Sequence, residues 1–214
     1  MLVYCSFVSF KNSANRLFFL PMPRVADRKL QILQQLAQML EDIPNCKKVT
    51  TALLASRLQV SEAALYRHFA SKAQMYEGLI EFIEQTIFSL INKISESEES
   101  GLKQVSAMVN VLLSFAKKNP GMTRVLIGDA LVHENDRLQD RINRLHDRLE
   151  SSMRQSLRFA INQGEMNSAL EIEPKGNQLM AYVIGRWHQF AKSRYTKDPT
   201  IYSEVQIRML LSDV

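Results

Sequence analysis

Residues 49–76 read VTTALLASRLQVSEAALYRHFASKAQMY, and the fold turns on this stretch. Thr50 or Thr51 is placed to cap a short helix running through Leu58, since a threonine hydroxyl accepts a bond from an orphaned first-turn amide. Gln59, Val60 and Ser61 make a turn, and Ser61 is a good N-cap for a second short helix. Val60 before that cap and Leu65 within the helix are spaced as a hydrophobic staple, which fixes the entry angle. In this geometry Leu54, Leu58, Leu65 and Phe69 face inward, and Ala55 lets the helices approach closely. Glu62, Ala63, Tyr66 and Arg67 face outward. A support helix, a tight turn and a second helix with a polar outer face form a helix-turn-helix, whose second helix enters a DNA groove. Tyr66, His68 and Lys72 are able to donate to phosphates, and the amides after Ser71 offer an anion site.

The charge distribution agrees. The chain has 214 residues and a net charge of +5. Residues 1–72 hold ten basic and four acidic side chains, which leaves 17 and 18 in residues 73–214. A basic N-terminal third of +6 on a near-neutral remainder of −1 is the pattern of a chain with a polyanion-binding head.

The rest of the composition narrows the class. Seven glycines and six prolines are few, 46% of residues are hydrophobic, and no long run alternates with period two. An all-α fold is expected. Cys5 and Cys46 make no disulfide framework and fit a reducing cytoplasm. His68, His133, His146 and His188 lack metal-ligand spacing, and no phosphate loop or nucleophile elbow occurs. We therefore expect no cofactor, no metal site and no enzymatic activity. The apolar runs in residues 1–23 are interrupted by Lys11, Asn12, Asn15 and Arg16 and are too short to span a bilayer. That segment reads as a disordered arm or a start-site artefact before Met22, and no membrane partner is expected.

Nine helices are legible. Leu30, Leu33, Leu36, Ala37 and Leu40 mark the first, from Asp27 to about Asp42, with Pro44 as its stop. The two short helices come next. Ser71 caps a long fourth helix, broken by SESEESG at 95–101. A fifth covers about 102–118, a sixth 122–134, a seventh 136–162, and two more 175–194 and 200–211. The domains read as the arm 1–23, a head 24–72 and a body 73–214. On the seventh helix Leu138, Ile142, Leu145 and Leu149 form an apolar seam. With Val183, Trp187 and Phe190 of the last hairpin, that seam is expected to make a two-fold dimer.

The head resembles that of the TetR family, whose recognition helix commonly ends in a Tyr-x-His/Tyr-Phe string followed by a lysine. Tyr66, His68, Phe69 and Lys72 match it. Gln59 stands where many members have glycine, at a cost of about 1 kcal/mol if left-handed. The expected DNA-contacting set is Thr50, Thr51, Ser61, Glu62, Ala63, Tyr66, Arg67, His68 and Lys72. VSEAALYRHFASK, YEGLIEFIE, KKNPGMTRVLIGDALVHENDRLQDRIN and LHDRLESSMRQSLR extend the resemblance to one branch, the SlmA nucleoid occlusion factors. This branch implies a TetR-like all-α dimer at chromosomal sites, in the cytoplasm and on the nucleoid, with higher-order assembly on DNA. It also implies antagonism of the tubulin-like division protein FtsZ. The branch's surface for the FtsZ C-terminal tail lies along the fourth and fifth helices, which points to Phe82, with Lys118 and Asn119 nearby. Two departures bear on it: Leu90 replaces an expected basic residue, and His146 an expected phenylalanine. The rival reading is a TetR-type repressor released by a small ligand, with Met75, Met108, Phe115, Met122 and Trp187 lining its pocket.

Overall fold

The computed structural model describes residues 27–42 and 49–212, so the 1–23 segment, Pro44 and both cysteines lie outside the described residues. Among those described there are nine α-helices and no strand. They are α1 Asp27–Glu41, α2 Thr51–Arg57, α3 Glu62–Tyr66, α4 Lys72–Ser97, α5 Gly101–Lys118, α6 Pro120–Leu126, α7 Asp136–Asn162, α8 Ile172–Lys192 and α9 Ser203–Leu211.

The short helices are fixed by their caps. Thr50 Oγ1 accepts from Leu53 N, Ser61 Oγ from Ala64 N, and Ser71 Oγ from Gln74 N, each at 3.2 Å. Gln74 also reaches back, its Oε1 accepting from Ala70 N at 2.9 Å, so donors on both sides of the α4 start are satisfied. At the end of α2, Val60 N bonds Ala55 O at 3.0 Å and Gln59 N bonds Ser56 O at 3.1 Å. That pair is a Schellman closure, which needs one left-handed residue just beyond the helix end. Gln59 supplies it with φ of +56°. Leu54, Leu65 and Phe69 are buried behind this turn.

Head and body meet along α1 and α4. The α1 stripe of Ile32, Leu33, Leu36, Ala37, Met39 and Leu40 is buried, and α6 packs directly on it. Gly121 makes the approach feasible, since a Cβ there would stand 1.9 Å from the Ala37 carbonyl oxygen. Gly78 plays a milder version of this part on α4, under the Phe69 ring. In the body α4 and α5 form a hairpin, held where Gln104 Nε2 donates to Glu98 O at 2.8 Å. Next, α7 packs between α4, α5 and α8.

Three boundaries and one interface differ from the sequence reading. First, α6 ends at Leu126, not near 134, because Gly128 turns left-handed with φ of +76° and the chain continues in turns. Second, α8 begins at Ile172 and takes Pro174 into its first turn, where a missing N–H costs nothing. Third, α9 begins at Ser203 after Tyr202, whose φ is +64°. The expected dimer seam is core: Leu138, Ile142, Leu145, Leu149, Val183, Trp187 and Phe190 are at most 3% exposed in the single chain. The stripe on α7 is covered by α5 and α8 of the same chain, and Trp187 Nε1 donates to Leu112 O at 3.0 Å. A surface that one protomer already fills is closed to a second.

Replacing Gln59 by glycine should stabilise the protein by about 1 kcal/mol, since only the left-handed penalty is removed. In a thermal melt this appears as a rise of roughly 2–4 °C for a chain of this length. An unchanged melting temperature would mean that the turn stores no strain.

Candidate nucleic-acid interface

The exposed side of α3 carries Glu62, Ala63, Tyr66 and Arg67, with Tyr66 44% exposed. Behind this face Leu65 is 1% exposed, so the five-residue helix is held by one buried leucine and two caps. Thr51, at the start of α2, is tied to α3 from the side: its Oγ1 donates to Glu62 Oε2 at 2.6 Å and accepts from the Tyr66 hydroxyl at 3.4 Å. The polar ends of both short helices thus form one connected patch. Arg57 pairs with Asp42 at 2.5 Å, linking α2 to the end of α1. His68 is half-buried below α3.

Lys72 stands apart from the rest of the set. Its ammonium pairs with Glu134, on the loop before α7, and both side chains are largely enclosed. It also lies 5.6 Å from the Tyr76 ring centroid. The lysine expected to meet phosphate is therefore held by a body carboxylate. No local pattern announces this pair, as the partner is 62 positions away.

In the body, Phe82 is half-buried on α4 and packs against the core. Lys118 is exposed at the end of α5. Asn119 is turned to its own helix, with Nδ2 donating to Phe115 O at 2.8 Å. Leu90 is 37% exposed. Met75, Met108, Phe115, Met122 and Trp187 are core side chains, at most 6% exposed, and a shallow groove of about 370 Å³ lies elsewhere, between α5 and α9.

Residues 46–79 match the model for bacterial regulatory proteins of the tetR family, and residues 98–214 match the SlmA-like form of the tetracyclin repressor-like C-terminal domain. The chain is 48% identical over 182 residues to the nucleoid occlusion factor SlmA of Alteromonas mediterranea, covering 85% of this chain and 92% of that protein. It is 44% identical to the protein of that name from Idiomarina loihiensis, over 86% and 93% of the two. The chain belongs to the SlmA nucleoid occlusion factors of the TetR family. Solved structures share the fold at low identity. The fatty acid degradation regulator FadR of Bacillus halodurans superposes with a TM-score of 0.74 at 14% identity, over 90% of this chain and 98% of that one. A putative TetR-family regulator from Rhodococcus gives 0.71 at 17% identity, over 87% and 100%.

The NPGMTR segment, residues 119–124, joins head to body. Pro120 opens α6, Gly121 admits the α1 backbone, and the fully buried Thr123 donates from Oγ1 to Asn119 O at 3.0 Å. Arg124 Nη1 donates to Leu40 O at 3.0 Å, satisfying a carbonyl at the end of α1. Its Nε donates to Asp129 at 2.8 Å, and Asp129 also takes Lys192 at 2.6 Å. Burial would push the Asp129 carboxyl up, but the bonds from Lys192 and Arg124 outweigh it and hold it below its usual value.

His146, where the SlmA branch leads one to expect phenylalanine, lies 5.9 Å from the Trp187 ring centroid. Its Nε2 is buried without a hydrogen-bond partner among the described residues. Burial pushes the imidazole below its ordinary 6.5, only partly offset by a bond to the Leu126 backbone. The unfolded chain then takes up a proton more readily than the folded one, so stability drops as pH falls below 6.5. His146→Phe should stabilise by about 1 kcal/mol near neutral pH by removing the unsatisfied nitrogen. Its advantage should widen at about pH 5.5, where the unfolded imidazole is mostly charged. Parallel melts of the two proteins across that range check it; a constant difference would assign the pH response elsewhere.

Proposed function

We propose that this chain is a DNA-binding nucleoid occlusion factor that binds double-stranded DNA through α2, α3 and the start of α4, as a homodimer, and antagonises FtsZ assembly over the chromosome. The observation that carries this reading is the match to SlmA at 48% identity across both head and body. The basic head, the connected polar patch of Thr51, Glu62 and Tyr66, and the helix caps Thr50 and Ser61 beside it support the DNA half. Phosphate contact falls to the donors Tyr66, Arg67 and His68. The two-fold contact must use side chains outside the buried α7–α8 seam, and α9 offers Val205 and Met209, exposed one turn apart.

For the division partner, Phe82 is the proposed apolar anchor of the FtsZ tail, with Lys118 drawing acidic residues at the rim. Asn119 takes part through its position beside Lys118, as its amide is committed to α5. An extended tail that orders on binding suits a surface of this kind. Sedimentation of FtsZ filaments tests the reading: DNA-bound protein should lower the pelleted fraction, and Phe82→Ala should restore it with DNA affinity unchanged. Filaments that pellet equally with and without DNA-bound wild type would contradict it.

Lys72 joins the DNA contacts only by leaving Glu134. Glu134→Gln removes the competitor and should strengthen binding to every duplex alike, by about 1 kcal/mol. The gain should vanish in a Lys72→Ala background, as a double-mutant cycle demands of a direct competition. Unchanged affinity in titrations of Glu134→Gln would confine Lys72 to a structural role.

A further inference from the structure

Residues 49–72 contain one acid, Glu62, beside Arg57, Arg67 and Lys72. It sits on the exposed face of α3 with Ala63, Tyr66 and Arg67. Such a position is unfavourable for a carboxylate that meets DNA, because two rows of phosphates repel it on every sequence. The acid is nevertheless held in place. Its Oε2 accepts from Thr51 Oγ1 at 2.6 Å, and that hydroxyl in turn accepts from Tyr66 at 3.4 Å. This chain of bonds restrains the carboxylate, and Oε1 takes no hydrogen bond among the described residues.

A carboxylate can only accept. In the major groove the amino donors are cytosine N4 and adenine N6. Beside the adenine amino group lies N7, an acceptor that repels a second carboxylate oxygen, and cytosine has no acceptor in that place. From this we infer that Glu62 is a specificity-determining residue that reads a cytosine amino group, with Thr51 as the positioning residue that sets its rotamer. The inference rests on the reading of α2 and α3 as the DNA-binding surface. The repulsion then serves selection: Glu62 weakens binding to all duplexes and recovers affinity only where a donor meets Oε1.

Selection from a randomised duplex library by the full-length protein tests this. Wild type should enrich sequences with one fixed cytosine in each half-site. Glu62→Gln still accepts from Thr51 but puts an amide N–H where Oε1 stood, so the cytosine preference should fall by roughly tenfold in favour of a base with an acceptor there, thymine O4 or guanine O6. Thr51→Val should relax the position without moving it to another base. Glu62→Ala should lose the preference and bind unselected duplex several-fold more tightly than wild type. Identical enriched sequences for wild type and a folded Glu62→Gln protein would overturn the assignment and leave Glu62 as a brace between α2 and α3. A wild type that enriches no sequence and binds no duplex would overturn the DNA-binding reading itself, and this assignment with it.

Discussion

Gly121 against the Ala37 carbonyl is the contact on which the rest of this structure depends. A helix-turn-helix of two short helices recognises a groove only if its orientation is fixed, and α4 alone is a single helix of about 39 Å that joins head to body. The close approach of α6 to α1 supplies the second attachment. Arg124 then satisfies the Leu40 carbonyl at the end of α1, and Asp129, itself paired with Lys192, holds Arg124 in turn. The Lys72–Glu134 pair adds a third tie, at the start of α4.

These ties alter the charge that the head presents. The basic excess in residues 1–72 is not all available to DNA: Lys72 is matched by Glu134 of the body, and Arg57 is tied to Asp42 within the same segment. Outward on α3 stand Arg67, the hydroxyl of Tyr66 and the carboxylate of Glu62. In the proposed DNA complex, binding on this face exchanges such ion pairs for phosphate contacts. Each exchange contributes little by itself, so selectivity has to come from the few side chains whose geometry is restrained.

Local chemistry is legible in the sequence wherever cause and effect lie within a few residues. Ser61 and Ser71 cap the helices that their positions predict. The left-handed Gln59 agrees with its place in a turn where glycine is usual. Longer-range features are not legible. The α7 seam has the right spacing for an interface, but a stripe does not say what covers it, and α5 and α8 of the same chain do. The end of α6 is hidden because Ile127, Ala130 and Leu131 continue a helical spacing past Gly128. The NPGMTR segment is easy to pick out, yet its role depends on Ala37 and Leu40, some eighty residues earlier.

Hydrogen exchange on Gly121→Ala tests the central claim most directly. An added methyl cannot fit 1.9 Å from the Ala37 carbonyl oxygen, so α6 and α1 must separate. If this seam orients the head, amides of α1 from Ile32 to Glu41 should exchange much faster than in wild type. The amides of α5 and α7 should keep their protection, and DNA affinity should fall. Unchanged exchange along α1 with unchanged DNA affinity would contradict the account and leave α4 as the sole support of the head.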